Sequence, residues 1–409
     1  MEAIHCRLWA IISYSEELLP MIQQEIRLSQ NKLNTRPTSM SRPIRILQYI
    51  GSLNSGGSQS MIMNIYRNID RNKIQFDFII DQKDRPFHEE EIKKLGGKIY
   101  IFDENFRGYN YLSFTKQWKD FFKTHPEYRI IHCHVRSVAS IVLKIAKQYG
   151  LNTICHSHNI SNGKGLRAFI KKIIQIKIPK YSDIMLACSD EAGKWLYGKK
   201  AHYLVIKNSI EQSRYYYNAA YRKEIRKKYK ISDDKYIIGH VGRFEKQKNH
   251  SFIVNIIKNL NNDNNLVFML CGDGSLRPQI KAKLEKEIKE KKVYLINNTT
   301  DIYKYYSAFD CFILPSTYEG LGIVLIEAQF SGLRCIVSPN VPEEAKISQN
   351  YVKEPLDSNK WAKVIAEKKT EPDRSAPRLL NNSSTYNIKN AINVIERLYL
   401  NCDAQKGEN

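Results

Sequence analysis

Short runs of consecutive apolar residues alternate along this chain with longer stretches whose apolar residues recur every three or four positions. A run of the first kind reads as a strand buried on both faces, and a stretch of the second as an amphipathic helix. The rhythm begins at Ile44. Residues 46–50 form the first predicted strand, residues 51–57 a glycine-bearing loop, and Met61, Ile62, Ile65 and Ile69 one face of the first helix. Strands are predicted at 76–80, 98–102, 129–133, 153–156 and 184–187, with helices at 111–122 and 137–147. In the second half, strands are predicted at 236–238, 266–270 and 311–314, and Phe252, Ile253, Ile256, Ile257 and Leu260 line a helix after the first of them. Beyond the last, Val324, Leu325, Ala328 and Gln329 open a helix that Gly332 stops. This alternation predicts an α/β fold of doubly wound parallel sheets.

With 409 residues the chain is long enough for two domains, each with its own core. The pattern divides it into an extension or linker over 1–43, a first Rossmann-like domain over 44–207 and a connection over 208–235 rich in Tyr, Lys, Arg and Asn. A second Rossmann-like domain follows over 236–385, then a terminal helix over 386–409 carrying Ile388, Ala391, Ile392, Ile395 and Leu398. The linker-like composition up to Pro43 marks the first 39 residues as an extension or a misassigned start. No apolar run approaches membrane-spanning length, and residues 8–14 lack the flanks of a signal peptide. The eight cysteines show no Cys-x-x-Cys spacing, which fits a reducing cytoplasm and no structural zinc. A net charge of +22, from 64 Lys+Arg against 42 Asp+Glu, favours anionic partners. No nucleic-acid-binding module accompanies it, so nucleic acid is not expected as a partner.

Candidate chemistry concentrates in three strand-to-helix loops, where parallel α/β sheets bind ligands. The first, 239–249, presents Arg243 and Lys248; the second, 271–275, presents Gly272 and Gly274. The third runs from Glu319 through Gly320 and Gly322 to Glu327, one turn inside the next helix. The amides and dipole of that helix start suit a diphosphate, and two flanking carboxylates can accept hydroxyl hydrogen bonds from a sugar and a ribose. The ordinary reading of an isolated Glu-x7-Glu is a helix with acidic first turns; the company of the other loops outweighs it here. Gly56 and Gly57, before the first helix, read either as a ligand-reaching loop or as a plain turn. No Gly-x-Gly-x-x-Gly follows the first strand and no Walker Gly-x4-Gly-Lys occurs, which argues against a nicotinamide dehydrogenase and a P-loop enzyme.

Two His-x-His pairs, His132/His134 and His156/His158, sit at strand ends, where residues two apart point the same way. Each pair can offer two imidazoles to one spot, but no acidic or Cys ligand completes a metal site, and none is assigned. Lys164, Arg167, Lys171, Lys172, Lys177 and Lys180 interleave with Leu166, Phe169, Ile170, Ile173 and Ile174. Read as one helix over 164–180, this is either a domain helix with its core stripe or a contact for an anionic membrane surface or lipid diphosphate.

The order Gly-Gly loop, His-rich loop, Gly-Arg-x4-Lys, Gly-Asp-Gly and Glu-x7-Glu resembles the retaining glycosyltransferases of family four from about residue 44 onward. It is most similar to bacterial exopolysaccharide and capsule glycosyltransferases through residues 51–57, 156–159 and 163–167. The resemblance implies the GT-B architecture, two facing Rossmann-like domains with a cleft between them, and a terminal helix packing back toward the first domain. It also implies transfer of a sugar from a nucleotide-sugar donor, UDP-sugar first, to a glycan or lipid-diphosphate-linked acceptor, without cofactor or metal. Arg243 and Lys248 would stabilise the departing diphosphate. Glu319 would hold the donor sugar and Glu327 the ribose, with Gly56, Gly57, Gly272, Gly274, Gly320, Leu321, Gly322, Ile323 and Val324 around the donor. His158 would stand beside the transferred sugar, with His156 as the alternative, and Lys164, Arg167, Lys171 and Lys172 would face acceptor or membrane. The expected place is the cytoplasm, peripheral on the inner face of the cell membrane. Asn249 replaces a common glycine and Leu321 a frequent aromatic, which bears on donor preference. The competing readings are a non-catalytic nucleotide-sugar- or RNA-binding α/β protein and a nucleotide-sugar epimerase of the same architecture.

Overall fold

The computed structural model describes residues 42–54, 56–81, 86–158, 166–367, 374 and 376–404. The expected extension up to residue 39, and Lys164, lie outside the described residues. The chain forms two compact units: one of residues up to Leu53, Ile69–Ile206 and Ile395 onward, the other of Asn54–Asn68 and Lys207–Val394.

The first unit holds strands β1 (Ile44–Gly51), β2 (Ile74–Ile80), β3 (Ile99–Ile101), β4 (Ile130–Cys133), β5 (Asn152–Ser157), β6 (Ile184–Ala187) and β7 (Leu204–Val205). They form one sheet in the order β3-β2-β1-β4-β5-β6-β7, and every recorded pairing is parallel. Leu47, Tyr49, Ile131, Cys133 and Cys155 enter one core with Phe114, Trp118, Phe121 and Phe122 of the helix Tyr111–Thr124. The alternate residues Gln48, His132 and His156 are also buried, a polar line where a wholly apolar strand would be expected.

The second unit holds β8 (Tyr236–Val241), β9 (Leu266–Cys271), β10 (Val293–Ile296), β11 (Cys311–Leu314), β12 (Arg334–Val337) and β13 (Tyr351–Lys353) in the order β10-β9-β8-β11-β12-β13. Its pairings are parallel too, so both units show the doubly wound, Rossmann-like topology. The order reverses between β1 and β4 in one unit and between β8 and β11 in the other, the places where such sheets open a crevice. Gly239 sits there without a side chain because a Cβ would strike the ring of Phe309.

Residues 208–235, expected as a connection, carry the helices Gln212–Tyr215 and Ala219–Tyr229. Their Ile210, Tyr215, Ile225 and Ile231 join the second unit's core, spaced too widely to show as one amphipathic face. The helix expected over 164–180 is two: Leu166–Gln175, then Ile178–Tyr181 with Pro179 in its first turn, where proline starts a helix better than it continues one. Among the described residues no disulfide joins two cysteines, and no helix is long and apolar enough to cross a membrane.

Candidate functional site

The loops after β8 and β11 are stitched together by backbone before any side chain acts. After β8 the chain makes the turn Lys246–Lys248 and passes Asn249 into the helix His250–Asn259. Asn249 has φ 56°, the left-handed region that asparagine tolerates best after glycine, so the departure from glycine leaves the turn intact. Its Nδ2 donates to Pro315 O at 3.2 Å, and Thr317 N donates to Gln247 O at 2.9 Å. The two loops are therefore tied to one another at two points.

This stitching sets Lys248 Nζ 2.5 Å from Glu319 Oε1, which also accepts from Ser316 Oγ at 2.6 Å. Gln247 Nε2 lies 3.4 Å from the other carboxylate oxygen. With side-chain exposures of 12% and 5%, the Lys248–Glu319 pair is largely dry. Removing one partner of such a pair typically costs about 3–5 kcal/mol, because the other charge is stranded. Glu319 also neutralises much of what Lys248 could present to an anion, which leaves Arg243, exposed on the same loop, as the less compensated cation.

Gly272 and Gly274 have φ values of 146° and 155°, and a Cβ on either would strike backbone of Gly242 or Phe244. Their glycine character has a packing reason that needs no ligand: it lets the 271–275 loop lie against the 242–245 loop. Phe244 N donates to Asp273 O at 2.9 Å, and Ser275 Oγ to Glu245 Oε2 at 3.0 Å. Beneath them His240 is fully buried, and its Nδ1–H donates to Ile313 O at 2.9 Å, so the ring stays neutral, its pKa lowered by burial to about 4.

Gly322, at φ 77°, begins the helix Ile323–Phe330, and no side chain caps that start. Residues Leu321 to Val324 are half-buried there, with Gly320 exposed beside them. One turn on, Glu327 is only 6% exposed, and Tyr306 Oη donates to its Oε2 at 2.7 Å. Burial raises its pKa to about 7, against the hydrogen bonds from Tyr306 and Tyr215 that favour the carboxylate. Arg374 fixes this relation: its guanidinium donates to Tyr306 O at 2.9 Å, Phe309 O at 2.6 Å and Ser331 O at 2.9 Å, tying the C-terminal end of the Tyr306 helix to that of the Glu327 helix.

In the first unit both His-x-His pairs share one sheet face. Gln48 of β1 stands opposite His132 of β4, and His132 opposite Ile154 of β5, which brings His156 alongside His134. His134 Nδ1 lies 2.8 Å from His158 Nε2, His134 Nε2 2.9 Å from Gln48 Oε1, and His132 Nδ1 2.6 Å from Tyr399 Oη. Rings 132 and 134, and rings 156 and 158, stack at 4.2 Å. Burial lowers the pKa of His132 and of His158 to about 3, so this stripe is neutral at neutral pH. One nitrogen from each of His132, His134 and His156 lies within 4.8 Å of the others. Both nitrogens of His134 already have partners, His158 and Gln48, so an ion held by the three histidines would have to displace one of them.

Gly57 starts the helix Gly57–Asn68, and a Cβ there would meet nothing described, so packing does not demand glycine; at Gly56 it would meet only the end of Gln59. Arg167 falls in the helix Leu166–Gln175, whose Lys171 and Lys172 are exposed. Ile173 and Ile176 are 51% and 69% exposed beside them. Ser316, Gln247, Tyr306 and Tyr215, which hold the two glutamates, were not marked by the sequence. Ser316 stands three residues before Glu319, in the same strand-exit loop, but Tyr306 comes from a helix with no motif.

Residues 221–383 match the family described as Glycosyl transferases group 1. The chain is similar to EpsF of Bacillus subtilis (strain 168), a protein named as a glycosyltransferase, at 29% identity over 79% of this chain and 87% of that one. It is also similar to the UDP-Gal:alpha-D-GlcNAc-diphosphoundecaprenol alpha-1,3-galactosyltransferase of Escherichia coli, at 26% identity over 52% of this chain and 58% of that one. In fold it matches Anabaena Alr3699/HepE, solved with UDP and glucose, with a TM-score of 0.70 at 16% identity over 87% of this chain and 99% of that one.

Proposed function

We propose, from the premise that this chain carries a group 1 glycosyltransferase domain and is homologous to bacterial exopolysaccharide and capsule glycosyltransferases, that it is a retaining, metal-independent enzyme using a UDP-sugar. The acceptor is a glycan carried on a lipid diphosphate, the class named for the Escherichia coli relative. One observation carries the donor side: Glu319, held by Lys248 and Ser316, and Glu327, held by Tyr306, flank a helix start that no side chain caps.

The donor's diphosphate meets the amides from Gly320 to Val324 and the charge of Arg243 and Lys248. Glu319 accepts from the sugar hydroxyls, and Glu327 from the ribose. In the reaction the bond from the anomeric carbon to the phosphate oxygen breaks, and a bond to the acceptor oxygen forms on the same face. The acceptor's proton goes to the leaving phosphate oxygen. The main demand is stabilising that phosphate, which fixed positive charge in a site shielded from water meets. His158, with His156 as alternative, stands beside the transferred sugar, and Gly56 and Gly57 allow close approach to the donor.

Lys171, Lys172 and Lys177, with exposed Ile173 and Ile176, support peripheral attachment to an anionic membrane. Thermal stabilisation of the purified chain across UDP-, GDP- and ADP-sugars tests the donor, since ligand binding raises apparent stability by mass action. Stabilisation by UDP-sugars that Glu327→Gln abolishes is expected. No shift with any nucleotide would sink the reading.

A further inference from the structure

Within the first unit, at the C-terminal ends of β1, β2 and β4, lies a pocket of about 430 Å³ lined by Asp81, His134, Arg136, Ser137, Lys171 and Gln175 among others. Asp81 is held rigidly at its edge. Its amide donates to Gly51 O at 2.7 Å, Tyr49 Oη donates to its Oδ2 at 2.9 Å, and Asn105 Nδ2 donates to its carbonyl at 3.1 Å. Its other carboxylate oxygen, Oδ1, is buried with no hydrogen-bond partner among the described residues. A buried carboxylate oxygen without a donor is costly, and its natural complement is a hydroxyl or amide brought by a ligand. Burial raises this carboxyl's pKa to about 6, so it remains largely an acceptor at neutral pH. Gly51, at φ 74°, keeps the wall open: a Cβ there would crowd Val135 at 3.2 Å and approach Asp81 at 3.8 Å.

Two cations share the wall. Arg136 is half-buried with its guanidinium 4.9 Å from the ring centre of Trp195, a stacking that fixes its direction, and Lys171 is exposed at the rim. One hydrogen-bond acceptor and two cations in a pocket of small-ligand size suit a molecule with a hydroxyl at one end and an anion at the other.

We propose that this pocket binds a phosphorylated saccharide, with its phosphate against Arg136 and Lys171 and a sugar hydroxyl donating to Asp81. Resting on the transferase reading, the ligand is the acceptor's phosphorylated end, either a free sugar phosphate or the head of a prenyl diphosphate. Asp81 is then the residue that selects for a hydroxyl at a set distance from the phosphate, and substrates lacking it are discriminated against by a stranded carboxylate.

Calorimetric titration of the full chain with N-acetylglucosamine 1-phosphate, inorganic pyrophosphate and neutral N-acetylglucosamine tests this. The sugar phosphate should bind at least about tenfold more tightly than the neutral sugar, the worth of one charge-assisted contact. Asp81→Asn, which keeps shape and the Tyr49 contact, should weaken the sugar phosphate about tenfold while leaving pyrophosphate equal or tighter. Arg136→Ala and Lys171→Ala should weaken both. Unchanged sugar-phosphate binding in Asp81→Asn, or equal loss of pyrophosphate, overturns the proposal, as does pyrophosphate binding indifferent to both cations. A prenyl-diphosphate sugar in detergent, compared with the sugar 1-phosphate, separates the sources: preference for the former assigns a lipid head group, parity a free sugar phosphate. UDP titrated in parallel keeps the readings apart. UDP binding with no sugar-phosphate binding sinks this inference alone, whereas sugar-phosphate binding without UDP binding sinks the transferase reading and spares the pocket.

Discussion

In the second unit, Glu319 has an ammonium and a hydroxyl on its carboxylate, and Glu327 has Tyr306. In the first unit, Asp81 Oδ1, His132 Nε2, His158 Nδ1 and both ring nitrogens of His156 are buried without a partner among the described residues. Both regions sit at the C-terminal edge of a parallel sheet, so topology does not explain the contrast. A group already satisfied has its direction set before a ligand arrives. A group left unsatisfied has an incentive to accept one. The donor-side carboxylates are thus preorganised, with His240 Nε2 and both ring nitrogens of His250 behind them buried without a partner among the described residues, whereas at the edge of the first sheet the carboxylate itself carries the unmet demand for a hydrogen bond.

The sharpest way to break this contrast is to remove the preorganised charges. Arg243→Ala, Lys248→Ala and Glu319→Gln should each lower kcat/KM by on the order of a hundredfold or more, with circular dichroism unchanged. Near-normal turnover in Lys248→Ala or Glu319→Gln would show that the paired groups are scaffold, and in Arg243→Ala that this exposed cation does not meet the diphosphate.

Glu327 offers a second test, through its protonation. Its pKa is raised to about 7 from 4.5, so its contribution to stability is full below about pH 4.5 and is lost as the pH rises through about 7. Glu327→Gln is neutral throughout and should gain on wild type between about pH 5 and pH 8, by on the order of 2–3 kcal/mol. Thermal denaturation at the two pH values measures this, and a gap that does not change with pH would mean that Glu327 does not titrate in that window. The carboxylate is the form that accepts from ribose hydroxyls, so UDP affinity should rise over the same interval.

Smaller effects are expected at the exposed helix. Each basic side chain near an anionic bilayer contributes about 1 kcal/mol, and Lys172→Glu should weaken vesicle sedimentation in a salt-sensitive way. Ile176→Asp should remove a salt-resistant remainder. Equal binding by wild type and both variants would make this helix ordinary scaffold. The smallest expected effect is none: excess EDTA should leave transfer unchanged, and loss restored by a divalent ion would point back to the histidine stripe.

Much of this was legible in advance because periodicity reports burial. The strands at 184–187 and 311–314 match to the residue, and Gly332, expected to stop a helix, lies in the left-handed region just past the end of the helix Ile323–Phe330. The Glu-x7-Glu spacing put one carboxylate on a loop and one inside a helix, and so it is. What stayed hidden depends on register between distant segments. Period two predicts that His132 and His134 point together, but only the β4–β5 pairing sets His156 beside them. A lone Asp after a strand says nothing, and Asp81 acquires meaning from Tyr49, 32 residues earlier. Arg374 and Tyr306 act through carbonyls and a hydroxyl that no local pattern announces.

Tyr399 has a consequence for how the protein is made. Its hydroxyl bonds His132, 267 residues earlier, and accepts from Gln48, 351 residues earlier. A ribosome adding roughly 5–20 residues per second leaves β1 waiting roughly 20 to 70 seconds for that partner. During translation Gln48 and His132 therefore lack this hydroxyl until the terminal helix has emerged, so the polar line of the first sheet is completed last.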